Sequence, residues 1–204
     1  MTDDTETAFA SLVASRLCHD IANPVGAVNT GLDVLANESD PEMRQHAEGL
    51  VAESMGRLLA MLEFSRTAFG ASGGSEGELE TATLRKLSED LFAHMKQELR
   101  WQGASRSVPK RVGRALLNLL LCGERLAPRK GSGITVDDDG RGFSVTATGP
   151  RASMPDDLAG VLTGELAIGE AKLVPASLAV RLAREAGWSV AFECGDDEVR
   201  LSLR

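Results

Sequence analysis

The chain is poor in residues that crosslink or hold metals. Its three cysteines, Cys18, Cys122 and Cys194, stand far apart and form no C-x-x-C pair. That excludes a disulfide framework and a cysteine-rich zinc site, and it suits a reducing compartment. The three histidines, His19, His46 and His94, are equally scattered, with no H-x-x-x-H spacing. No run approaches the roughly 20 apolar residues that cross a bilayer, so no membrane partner is expected. The opening stretch, Met1 to Thr7, is acidic and polar, unlike the basic and apolar regions of a signal peptide; a cytoplasmic location is expected. Cationic surplus is missing too: 22 Lys and Arg stand against 30 Asp and Glu, a net charge of −8. Phosphate backbones need a cationic stripe, so no nucleic acid is expected and partners should be proteins.

What is present is ordinary for a globular protein: 43% apolar and 25% charged residues over 204 positions, enough for one large domain or two small ones. The first seventy residues read as two long helices. Leu17, Ile21, Val25, Val28, Leu32 and Leu35 recur at intervals of three and four, which places them on one helical stripe; the spacing predicts a helix from Thr5 to Ala36. Asp40-Pro41 then supplies an N-cap and a proline at the first helical position. The second helix carries Met43, Ala47, Leu50, Val51, Leu58 and Leu62 and runs to Phe69, with Gly70 placed to close it.

Two helices of about thirty residues, each roughly 45 Å long, make a hairpin with a wide apolar face that it cannot cover alone. A second copy covers it by forming a twofold four-helix bundle; the other solution is cover from the C-terminal half of the same chain. We expect the homodimer. The stretch Gly70 to Gly77 reads as a flexible linker, giving domains at 1–69 and 79–204 with 70–78 between them.

Beyond the linker the pattern is mixed. Residues 79–102 read as helical, as do Lys110–Leu126 and Ala176–Ala186. Strands are expected at Ile134–Val136, Phe143–Thr148, Ser189–Glu193 and Glu198–Leu203. The expected architecture is α+β, with helices on one face of an antiparallel sheet.

The chemistry lies in Ser15-Arg-Leu-Cys-His-Asp-Ile-Ala-Asn-Pro24. At about 100° per residue, His19 falls about 160° from the centre of the apolar stripe, so it faces solvent. A neutral, exposed imidazole is a nucleophile toward phosphorus. Asp20 is placed to hold the other ring nitrogen, given a favourable rotamer. Asn23 is either a group that positions water or a phosphoryl oxygen, or a plain surface residue. Arg16 either steadies phosphoryl charge or is solvated. Ala22 and Gly26 leave room for a partner, and Thr30 continues that partner-binding face; glycine within a helix costs about 1 kcal/mol against alanine, so Gly26 needs a reason. Pro24 should bend the helix one turn below the histidine. His46 and His94 read as passive.

The run His19-Asp-Ile-Ala-Asn-Pro24 resembles the H box of sensor histidine kinases, H-[DE]-x-x-[NT]-P. With Ser15-Arg-Leu-Cys-His-Asp ahead of it and Phe64-Ser-Arg-Thr-Ala-Phe-Gly70 closing the second helix, the text looks like the ChpT group of bacterial histidine phosphotransferases. The C-terminal half is similar in order of elements to the kinase ATPase domain, in degenerate form. Asn118 matches the first asparagine of the N box, but Cys122 stands where the second, a magnesium ligand in the kinases, would be. A thiol is a poor ligand for that hard ion.

Asp138-Asp-Gly-Arg-Gly142 has the D-x-G-x-G pattern that reads adenine in the kinases, yet it sits where a hairpin turn is expected. The matching place, Gly149-Pro-Arg-Ala152, has no aspartate, and no glycine loop precedes the last helix to cradle phosphates. The resemblance therefore implies no ATP, no cofactor and no bound metal. It implies a relay in which His19 takes phosphate from the receiver domain of a hybrid kinase and passes it to response-regulator receivers controlling the cell cycle or motility, magnesium being supplied by the receiver. The rival readings are an active kinase with a divergent site and a receiver-binding module without transfer.

Overall fold

The computed structural model describes residues 2–70, 74 and 76–204, with the side chains described from Glu6 onward. The chain divides into two compact units, Met1–Ser65 and Arg66–Arg204. The first is a helical hairpin. Helix α1 spans Thr2–Asn37 and α2 spans Pro41–Ala68. Between them, Asp40 caps α2 by accepting the Glu42 amide at 3.0 Å, and Pro41 takes the first helical position, where its missing N–H costs nothing. Arg44 reaches back to the carbonyls of Leu35 and Glu38, at 2.6 and 3.0 Å. The Glu38 carboxylate accepts the amides of Asp40 and Ser39, which hold it below the usual carboxylate range.

The two helices approach each other closely at Gly31. A Cβ there would meet Val51 Cγ2 at 2.5 Å and the Ala47 carbonyl at 3.1 Å. Helix α1 runs on through the buried Pro24, whose lack of an N–H deprives the Asp20 carbonyl of its usual donor.

The second unit is an α/β sandwich. Strand β1 (Glu78–Glu80) pairs with β3 (Ser107–Pro109) in a two-stranded ribbon. Five further strands are β2 (Glu98–Gln102), β4 (Gly133–Asp138), β5 (Phe143–Thr148), β6 (Val190–Gly195) and β7 (Glu198–Leu203), in spatial order β2-β4-β5-β7-β6. The sheet is mixed: β2 runs parallel to β4 and the remaining pairs are antiparallel. Its helices are α3 (Thr81–Phe92), α4 (Lys110–Leu126), α5 (Asp156–Thr163) and α6 (Val174–Glu185), the last preceded by a 3₁₀ turn at Ala171–Leu173. Ile134, Val136, Val145, Ala147, Val199 and Leu201 alternate inward from the strands and are fully buried, as are Leu116, Leu117, Leu119 and Leu120 of α4. The opposite sheet face, with Thr135, Ser144, Thr146, Arg200 and Ser202, is polar.

Three expectations are corrected. Residues 79–102 are not one helix: α3 ends at Phe92, and Glu98–Gln102 is an edge strand in which Leu99 and Trp101 alternate inward. The Glu98 amide donates to the Ser132 carbonyl at 3.0 Å, which starts the parallel pairing with β4. The sheet is therefore not purely antiparallel. Helix α5 was not expected from periodicity, being only eight residues long. The residues read as a linker lie in part, at 71–73 and 75, outside those described. No helix among the described residues is long and apolar enough to cross a membrane.

Candidate functional site

His19 lies in the middle of α1, its side chain 75% exposed. Its Nδ1 lies 3.3 Å from Asp20 Oδ1. The other carboxylate oxygen, Oδ2, accepts from Arg16 Nε at 2.7 Å. Neighbours in sequence point to different sides of a helix, so the His19–Asp20 contact depends on the carboxylate leaning toward the ring, and Arg16 bonds the same carboxylate from one turn before. In contrast to the histidine, both members of the ion pair are largely covered, with side-chain exposures of 15% for Arg16 and 18% for Asp20. With the proton on Nδ1, the ring donates to Asp20 and presents the Nε2 lone pair; no hydrogen bond among the described residues engages Nε2.

Ala22, Asn23, Gly26 and Thr30 are all exposed along the same helix. Thr30 turns its hydroxyl back to the Gly26 carbonyl, at 3.0 Å. A Cβ built on Gly26 meets nothing within 4 Å, so packing within the chain does not require glycine there. The apolar stripe is covered unevenly. Leu17, Ile21, Val28 and Leu35 are half-buried, whereas Val25 and Leu32 on α1 and Met43, Leu50 and Leu62 on α2 are exposed.

In the sandwich, the residues that match a nucleotide site serve the fold. Asn118, fully buried, donates both amide hydrogens, to the carbonyls of Ala68 and Arg114, each at 2.9 Å. Cys122 is buried, with its thiol 3.4 Å from the Asn118 carbonyl. Asp138 closes β4 opposite Phe143. Its carboxylate is gripped by Arg106 through Nε at 2.8 Å and Nη2 at 2.9 Å, and it accepts the Gly140 amide. Asp139 accepts the amides of Arg141 and Gly142, which, with Arg204 nearby, hold its carboxyl below the usual range. Gly140, with φ +81°, makes the turn possible. Residues 138–142 are therefore the hairpin turn that their position implied. The loop at Gly149 is tied to the β6–β7 turn, because the Arg151 amide donates to the Asp197 carboxylate at 2.6 Å.

The family model for the C-terminal domain of histidine phosphotransferases matches residues 81–198. Protein phosphotransferase ChpT of Brucella abortus (strain 2308) is 33% identical over 202 residues, covering 95% of this chain and 94% of that one. The chain belongs to the histidine phosphotransferases. A solved structure of a bacterial phosphotransferase superposes on this phosphotransferase with a TM-score of 0.84 at 28% identity, covering 96% of this chain and 95% of the other. The fold read from the sequence, a helical hairpin followed by an α/β sheet domain, is the fold of that relative.

Membership of the family supports phosphotransfer in a phosphorelay. Sequence reasoning placed His19 and Asp20 side by side, and the structure brings them together. The sequence left Arg16 either steadying phosphoryl charge or solvated; in this phosphotransferase its Nε donates to Asp20 at 2.7 Å. The four-residue spacing of Arg16 and Asp20 carried that signal.

Proposed function

We propose that this phosphotransferase carries a phosphoryl group on His19, taken from an aspartyl phosphate on one receiver domain and handed to the aspartate of another. The observation that carries the reading is the exposed imidazole whose Nδ1 is engaged by Asp20, in a chain of this family. Nε2 attacks phosphorus in line with the bond to the receiver aspartate. That P–O bond breaks and its electron pair leaves with the carboxylate. The Nδ1 proton stays on the ring, where the Asp20 carboxylate offsets the positive charge. Passing the group on reverses these steps. Phosphoryl transfer depends mainly on positioning and charge neutralisation, and the magnesium for it would be held by the receiver's own acidic pocket.

The open space over Gly26, beside Ala22 and Asn23, supports a docking face for the receiver on α1. The exposed Val25, Leu32, Leu50 and Leu62 support pairing of the hairpin with a second copy. We read the sandwich as unable to use ATP. Among the residues matching the kinase site, the buried thiol of Cys122 occupies the magnesium position, and soft sulfur does not fit an ion that takes hard oxygens in octahedral array.

The test is transfer from receiver domains charged with acetyl [32P]phosphate. Label should appear on the full-length protein and vanish in His19→Ala. Label on His19→Ala, or labelling of the wild type by ATP and magnesium alone, would overturn the reading.

A further inference from the structure

Arg16 stands one turn before the proposed nucleophile, yet its side chain is turned to Asp20. The two oxygens of that carboxylate are divided between neighbours, Oδ2 with Arg16 Nε at 2.7 Å and Oδ1 with His19 Nδ1 at 3.3 Å. Left alone, an aspartate side chain next to a histidine on a helix has several rotamers and only some of them reach the ring. A charge-assisted hydrogen bond from a mostly covered arginine removes that freedom. The arrangement parallels the way an outer carboxylate or carbonyl fixes the tautomer of a functional histidine, extended by one member.

Resting on the proposed role of His19, we propose that Arg16 is a positioning residue for phosphotransfer: it holds Asp20 in the rotamer that keeps the proton on His19 Nδ1 and the lone pair on Nε2. Arg16 acts through Asp20 and does not itself touch the phosphoryl group. Two consequences distinguish this from a docking role. The effect of removing Arg16 should not depend on a receiver being present, and it should disappear once Asp20 can no longer orient the ring.

Both are read with phosphoramidate, a small phosphoryl donor that needs no docking surface, on full-length protein. Arg16→Met keeps the apolar stem and should slow phosphohistidine formation by roughly tenfold, in the range seen on removing outer partners of functional histidines. Arg16→Lys, which keeps charge but loses the planar fork, should fall between Met and wild type. In an Asp20→Asn background, Arg16→Met should add little, because two residues acting through one contact are not additive. Nitrogen NMR of the His19 ring near pH 8 should show mainly the Nδ1–H tautomer in the wild type and a mixture in Arg16→Met.

Wild-type rates in Arg16→Met, additive losses in the double variant, or an unchanged tautomer spectrum would overturn the assignment. Should Arg16→Met fail to fold, Arg16→Gln carries the same comparison. If the wild type forms no phosphohistidine at position 19, the proposed function falls, and the tautomer spectrum still decides whether Arg16 orients the ring.

Discussion

Asn118 of α4 donates to the carbonyl of Ala68, the last residue of α2, at 2.9 Å. The last carbonyls of a helix lack intrahelical donors, and this one is served by a side chain 50 residues away in sequence. Arg114 Nε lies at 3.5 Å from the same oxygen, and Gly70, at φ +87°, leaves no room for a Cβ against the Arg114 guanidinium. The final turn of α2 is thus capped by the residue that matches the first N-box asparagine of the kinases.

Asn118→Ala should therefore cost stability. It removes a fully buried donor and leaves the Ala68 carbonyl with only the longer contact from Arg114, a loss of about 1–3 kcal/mol. Urea unfolding checks this. A stability equal to wild type would mean that the bond to Ala68 contributes nothing.

His19→Ala should change stability by under about 0.5 kcal/mol, since an exposed side chain leaves no cavity, while abolishing phosphate uptake. Asp20→Asn should slow uptake without stopping it; partners of this kind typically contribute about 10²–10⁴-fold. Parallel measurements of denaturation and labelling separate the two effects.

Gly26→Leu should do the opposite. Open space surrounds the position and leucine is the better helix former, so stability should rise by up to about 1 kcal/mol. Transfer from a charged receiver should fall steeply while labelling by phosphoramidate persists. Undiminished transfer from the receiver would remove Gly26 from the docking face.

Val28→Asp tests the pairing of hairpins. A charge placed on the half-covered apolar stripe is costly unless paired, so light scattering should show the variant dissociated or circular dichroism should show it unfolded. A monomeric wild type at micromolar concentration would contradict the pairing itself.

Asp139→Asn concerns only the β4–β5 turn. The folded carboxyl is held below its ordinary value by the Arg141 and Gly142 amides, so the ionised form stabilises the turn at neutral pH. That contribution is present above the unfolded value, near 3.9, and is lost as pH falls through the lower folded one. The wild type should accordingly exceed the variant in stability at pH 7, with the gap closing on acidification below about pH 4. Phosphate uptake should not change. A gap that widens in acid would reverse the assigned cause.

The hairpin was legible because its signals are local: the three-and-four spacing of α1, and Asp40-Pro41 at the start of α2. Helix α4 was legible for the same reason, its buried Leu116, Leu117, Leu119 and Leu120 clustering within two turns. Strand β2 was not, because Leu84, Leu87 and Leu91 set a helical rhythm into which Leu99 falls, and no glycine or proline marks the break before Glu98. Helix α5 carried weak signals at its ends, with Pro155 ahead, Asp156 and Asp157 in its first turn, and Gly164 in the left-handed region after it; its three buried apolar residues are too few to show a period. In the site, adjacency made His19 and Asp20 readable. The bonds of Asn118 to Ala68 and of Arg106 to Asp138 join distant segments, and no local pattern announces them.

The proline in α1 has a mechanical consequence. By removing one rung of the ladder, opposite the carbonyl of Asp20, Pro24 makes α1 a jointed rod whose joint lies beside the residue pair that would handle phosphate. Thermal opening should concentrate there, and the amides between His19 and Val28 should exchange with deuterium sooner than those flanking Gly31, where the two helices are clamped backbone to side chain. The hairpin then offers a stiff clamp at one level and a compliant segment at another, so that the imidazole would be free to adjust to the partners proposed for it while the register of the two helices is kept.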